Sequence, residues 1–201
     1  MVVQRVTVLL TLCGLLVAPS VTTQSTTQKS CGPPPMESMY TSHEGTAITS
    51  IGLSESEMRE VISEVLRRDF VREMGITSAD DLKSELLARN VDMGEGSASG
   101  LVVQGQEKLC GATGNCIAWF FRRGKGSLQS LGLGREYPPD AAAFAFLPPK
   151  HKGLSDLVVE RNDGGGIIST FVWQFNGSDY EPMQSFCFEC KAGGTEVKKC
   201  Q

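Results

Sequence analysis

The side chains able to do chemistry in this chain are few, and cysteine leads them. Cys110 and Cys116 bracket the run Gly111-Ala112-Thr113-Gly114-Asn115, and Cys187-Phe188-Glu189-Cys190 has the spacing of a metal-ligand pair. Of the seven cysteines, Cys13 falls inside an N-terminal apolar run, which leaves Cys31, Cys110, Cys116, Cys187, Cys190 and Cys200. An even set in an exported chain reads as disulfides, and six cysteines allow fifteen pairings. The local pairing is Cys110 with Cys116, because Gly111 and Gly114 let the loop fold back. Cys31 is expected to meet one of the three C-terminal cysteines. The rival is zinc held by Cys110, Cys116, Cys187 and Cys190. Its first pair is wider than a zinc knuckle, and export favours oxidation, so no metal is expected. A cysteine nucleophile needs a free thiol, which an even set argues against.

Acid–base chemistry has little to work with. The two histidines are His43, in the N-terminal lead, and His151, in Pro148-Pro149-Lys150-His151-Lys152-Gly153. A triad would need His151 with Asp156 or Asp163 and a serine that no motif marks. Paired carboxylates hydrolyse sugars, and Asp156, Asp163 and Asp179 qualify by type alone. Each also reads as a strand-edge or turn residue. Asp163 precedes three glycines, yet the regular spacing of a calcium loop is missing. The glycines at 94, 96 and 100 fit neither a phosphate loop nor a nucleotide fingerprint, and no Gly-x-Ser-x-Gly elbow occurs. The expectation is therefore no catalytic residue and no cofactor. For binding, Arg122, Arg123 and Lys125 make a charged hairpin tip, and Asn115 sits in a short loop held ready by its flanking cysteines. Asn176-Gly177-Ser178 has the form of a glycosylation sequon and, equally, of a hairpin turn.

The start of the chain sets the compartment. Residues 1–20 carry one cation, Arg5, then an apolar run over 6–17 and the small residues Ala18-Pro19-Ser20. This is the pattern of a secretory signal peptide, with a run too short to span a bilayer. The net charge of −4 becomes −5 when Arg5 is removed with the leader. Neither value suits nucleic acid, which is bound through dense cationic contacts. With no second long apolar stretch, no membrane span is expected, and the reading is secreted or periplasmic. Residues 21–52 form a flexible lead, polar at first and then stiffened by Gly32-Pro33-Pro34-Pro35.

The elements that must position these residues lie in one domain over 53–201. Ser54-Glu55-Ser56-Glu57 is a capping box, after which Met58, Val61, Ile62, Val65 and Leu66 recur at helical spacing. That helix is expected to end near Gly75. A second starts at Thr77-Ser78, with Leu82, Leu86 and Leu87 on its face, and stops by Asn90. The helical region is thus 54–90. From 101 the period changes to two, and strands fill 101–188, with Asn176-Gly177 the strongest hairpin signal. Helices first and strands after give α+β: two N-terminal helices packed on an antiparallel sheet or sandwich of about seven strands. Trp119, Phe121, Phe144, Phe146, Val158, Phe171 and Trp173 should lie in or near the core, under Met58, Val61, Ile62 and Val65.

Three motifs line up along the chain: Leu109-Cys110-Gly111-(x)3-Asn115-Cys116-(x)2-Trp119-(x)-Phe121-Arg122, Lys152-Gly153-Leu154-Ser155-Asp156-Leu157, and Trp173-Gln174-Phe175-Asn176-Gly177-(x)2-Tyr180. Over about residues 82–188 the chain resembles a small exported bacterial domain, strand-rich and of unassigned function. The resemblance implies a disulfide-linked extracytoplasmic module and carries no catalytic residues across. A looser analogy is to periplasmic inhibitors of cell-wall hydrolases, without a shared loop motif. The functional expectation is an exported, non-catalytic binding or envelope-associated protein whose partner is a protein or envelope component. The alternative is a hydrolase acting on envelope polymers through acidic residues.

Overall fold

The computed structural model describes residues 39–95, 99–133, 139–191 and 194–199, with residues 149, 150, 190, 191 and 194–199 as backbone only. The expected signal peptide, most of the lead, and Cys31 and Cys200 lie outside the described residues.

In chain order the elements are β1 (Tyr40–Thr41), β2 (Thr46–Ala47), α1 (Glu55–Leu66), α2 (Asp69–Glu73), α3 (Ala79–Ser84), β3 (Leu86–Val91), β4 (Gly100–Gly105), β5 (Cys116–Arg123), β6 (Leu128–Leu131), β7 (Asp140–Ala141), β8 (Ala143–His151), β9 (Leu154–Gly164), β10 (Ile167–Phe175), β11 (Tyr180–Lys191) and β12 (Gly194–Lys199). The fold is strand-rich α+β with two antiparallel sheets. One runs β2-β3-β4-β5-β6, with β7 pairing the start of β5; the other runs β1-β8-β9-β10-β11-β12. The described residues therefore carry two sheets and more strands than the seven that turn spacing suggests.

The capping box is present. Glu57 N donates to Ser54 Oγ at 3.2 Å, and Ser54 N donates to Glu57 Oε2 at 2.9 Å. That backbone bond from Ser54 outweighs burial, and with the nearby Arg123 it holds the Glu57 carboxyl below its usual range. The single helix expected to run to Gly75 breaks at Arg67-Arg68. Arg68 is extended, and the chain restarts as α2, which buries Val71. A second correction concerns residues 86–90. They are strand β3, paired over its whole length with β4 from Leu86↔Gly105 to Val91↔Gly100. The spacing of Leu82, Leu86 and Leu87 suits a helix, but a full ladder beside β4 overrides that local preference.

The molecule has three layers. Leu101, Val103, Ile117, Trp119 and Phe121 pack with Val61, Ile62, Val65 and Leu82 of the helices. Val102, Ala118 and Phe120 point the other way and meet Phe144, Phe146, Leu157 and Val159 of the second sheet. β4 and the first six residues of β5 are accordingly buried on both faces. Such a strand reads as a continuous apolar run, not an alternating one. Gly105 permits a close crossing, since a Cβ there would fall 2.2 Å from Leu109 Cβ. At the sheet edge, the Leu128 N–H of β6 donates to the Glu60 carboxylate of α1. Among the described residues no helix is long and apolar enough to cross a membrane.

Cys110 and Cys116 are joined by a disulfide, so these two sulfurs are bonded to each other. Gly111 N donates to Asn115 O at 2.7 Å across the loop, and Gly114 takes φ +80°. Cys187 is also disulfide-bonded, to a partner outside the described side chains. Replacing Cys110 by Ser and Cys116 by Ala together should lower stability by about 2 kcal/mol, the loop entropy of so short a ring. Urea unfolding under non-reducing conditions measures it; an unchanged midpoint would show that the loop is held by its hydrogen bonds alone.

Candidate functional site

A groove of about 470 Å³ opens between α2 and residues of β5, β7, β9 and β10. Its position follows from the break at Arg68, which swings Phe70 onto the Trp119 ring, with centroids 6.5 Å apart and planes 15° from parallel. Met74, just past α2, is 42% exposed at the mouth. β10 supplies Phe171 and Trp173, two residues apart and so on one face, both half-buried. Opposite Phe171 in the ladder is Val159 of β9, and the next residue on that face, Arg161, places its guanidinium 5.4 Å from the Phe171 ring centre. Ile117, Leu133, Pro139 and Asp140 close the remaining side. β7 holds Asp140 there by pairing it with Ile117.

The groove is apolar and aromatic, with one cation and one carboxylate on its wall. Arg161 Nε donates to Asp163 Oδ1 at 2.5 Å, and Ser169 Oγ donates to the other Asp163 oxygen. Burial pushes the Asp163 carboxyl up, but the bonds from Ser169 and Arg161 and the Arg161 charge outweigh it and hold it low. Trp173 Nε1 is buried and finds no hydrogen-bond partner among the described residues. A groove of this size and lining matches the general form of small ligand sites: mostly apolar, with a few polar groups that fix orientation.

The residues singled out from sequence lie elsewhere. Arg122 forms a two-pronged pair with Glu95, and Arg123 Nε lies 3.0 Å from Glu57 Oε1, close enough for an ion pair without hydrogen-bond geometry. Lys125 is exposed at the tip. Asn115 is 6% exposed and ties the disulfide loop to β9. Its Nδ2 donates to Asn162 O at 2.8 Å, and its Oδ1 accepts from Asn162 N at 2.8 Å. Asn115 precedes β5 while Arg122 and Arg123 end it, so roughly 20 Å of strand separates them.

The acids are spread over separate networks. Asp156 Oδ1 is 2.6 Å from His151 Nδ1. Its neighbour Ser155 accepts through its carbonyl from the Tyr180 hydroxyl at 2.8 Å, and burial, then the Asp156 charge, drives that phenol above its usual range. Asp179 Oδ1 accepts from Gly132 N at 2.8 Å. Sequence reasoning passed over Glu160, which burial pushes up to about 7 and whose Oε1 finds no partner among the described residues. It also passed over the groove itself, whose only local sequence signal is the Phe171-x-Trp173 pair.

No protein-family model matches this chain, and no curated protein or solved structure matches it either.

Proposed function

We propose that the protein is a non-catalytic binding module, secreted or periplasmic, which receives an apolar or aromatic group of a protein or envelope component in the groove between α2 and β10. The observation that carries this reading is the half-buried pair Phe171 and Trp173, facing Phe70 and Met74 across the opening. Aromatic side chains left part-exposed in a concave site supply large contact area at low entropic cost. The Cys110–Cys116 bond supports an oxidising compartment.

Met74→Glu tests it. Met74 is exposed, so the change should leave folding intact while placing a carboxylate in the apolar mouth. Binding of an envelope component to the immobilised protein should weaken about tenfold or more. Replacing Arg122, Arg123 and Lys125 together by Ser should leave it unaltered. The opposite pattern, loss at the hairpin tip with Met74→Glu binding normally, moves the site to the tip and sinks the groove.

One observation favours hydrolysis instead, the close His151–Asp156 pair, in which a carboxylate orients an imidazole as in general-base sites. Turnover of an envelope polymer that disappears with Asp156→Asn, in a protein that stays folded, would establish that second reading.

A further inference from the structure

The turn between β10 and β11 is an exposed Asn176-Gly177-Ser178-Asp179. Two backbone donors and one shared hydroxyl surround the Asn176 side-chain oxygen. Ser178 N donates to Oδ1 at 2.9 Å and Asp179 N at 3.0 Å, while the Ser178 hydroxyl, with its one hydrogen, lies 3.0 Å from Oδ1 and 3.2 Å from Asp179 Oδ2. Asn176 Nδ2 donates in turn to Glu181 Oε1 at 2.7 Å. Gly177 takes φ +115°, with open space where a Cβ would stand. Its N–H meets no acceptor among the described residues.

We propose that Asn176 is a site of spontaneous deamidation, and that its own turn promotes the reaction. The nucleophile is the Gly177 backbone nitrogen and the electrophile is Asn176 Cγ. The Gly177 nitrogen gives up its proton and attacks, forming a new C–N bond. Negative charge then gathers on Oδ1, where the Ser178 and Asp179 N–H groups already point and the Ser178 hydroxyl can turn, as donors do in an oxyanion hole. The Cγ–Nδ2 bond breaks, and ammonia leaves with the proton lost from Gly177. The product is a five-membered imide. Water opens it at either carbonyl, giving aspartate or isoaspartate. The sum is amide plus water to carboxylic acid plus ammonia, with no change of oxidation state. Glycine matters because no side chain hinders the approach and the backbone can turn inward.

If the groove is the binding site, the consequence reaches it. The new carboxylate faces Glu181 and Asp179, so a hydrogen bond becomes a cluster of like charges. The same turn hooks the chain beside Leu133, through Asp179 Oδ1 on Gly132 N and through Tyr180 N on Gly132 O. Loosening it frees one groove wall.

The test uses the mature, disulfide-intact protein, held at mildly alkaline pH and physiological temperature, then digested and mapped by mass spectrometry with isoaspartyl-methyltransferase labelling. Isoaspartate should accumulate at Asn176 ahead of Asn90, Asn115 and Asn162, which precede Val, Cys and Asp. Gly177→Ala should slow it about tenfold or more. Ser178→Ala, which removes the shared hydroxyl, should slow it about twofold to fivefold, because only the strengthening of that bond as charge develops on Oδ1 affects the rate. An intact Asn176 amide when other asparagines have reacted overturns the proposal. So does a rate that neither substitution changes.

Discussion

Phe120→Ala should destabilise the protein by about 3–5 kcal/mol. Phe120 is 1% exposed on β5, on the face that meets the second sheet. Its ring sits edge-on to Phe144 at 5.6 Å and to Phe146 at 6.2 Å, and those two rings meet each other edge-on at 6.2 Å. Truncation removes buried area, leaves a cavity and deletes two edge-to-face contacts, each worth about 0.5–1.5 kcal/mol beyond area. The neighbouring layers cannot collapse into the gap easily, because β5 is also held from behind by the helices through Trp119 and Phe121. Urea unfolding followed by far-ultraviolet circular dichroism measures the loss. A cost below about 1 kcal/mol would mean that the two sheets do not share this core.

Glu160→Gln should do the reverse, and only at one end of the pH range. Glu160 lies opposite Ala143 and Thr170 in the ladder, and the Thr170 hydroxyl oxygen is itself buried without a partner among the described residues. Burial pushes the carboxyl from 4.5 to about 7. The folded state therefore binds a proton that the unfolded chain has already released. Stability from this group is complete below pH 4.5, falls as pH rises, and is fully lost above about 7. The difference corresponds to about 3 kcal/mol before screening, and the half-buried position brings it to about 2–3 kcal/mol. Glutamine keeps the shape and never ionises. The variant should match the parent in acid and exceed it by that amount in mild alkali. Glu57 and Asp163, both held low, act with the opposite sign and take stability away only in acid, equally in both proteins. Equal unfolding midpoints in mild alkali would show that Glu160 reaches water.

Ser54 and Glu57 were legible as a cap because the motif is local and both partners lie within one turn. Asn176-Gly177 was legible as a hairpin for the same reason, and Cys110–Cys116 because the glycines between them fold back. β3 was not, because Leu82, Leu86 and Leu87 satisfy a helical period and only the ladder with β4 decides otherwise. The assignment of strands to two sheets was hidden too: Trp119 and Phe120 are chain neighbours that serve different cores. The groove draws on α2, β5, β7, β9 and β10, so no stretch of sequence contains it. Glu160 reads as an ordinary polar position in an alternating strand until its surroundings are known. The charged tip reads from sequence as a cluster of cations, whereas Arg122 and Arg123 face acids from distant segments.

The middle sheet, covered by helices on one side and by the longer strands on the other, also governs how this lineage can drift. A residue of β4 or of the first six positions of β5 has no side on which a polar replacement is cheap, so change there should be rarer than at the tips and edges. Distant descendants should then differ in charge and loop length yet keep the apolar runs of Leu101-Val102-Val103 and Ala118-Trp119-Phe120-Phe121 nearly intact. Kinship of this protein should be most legible in that doubly covered layer.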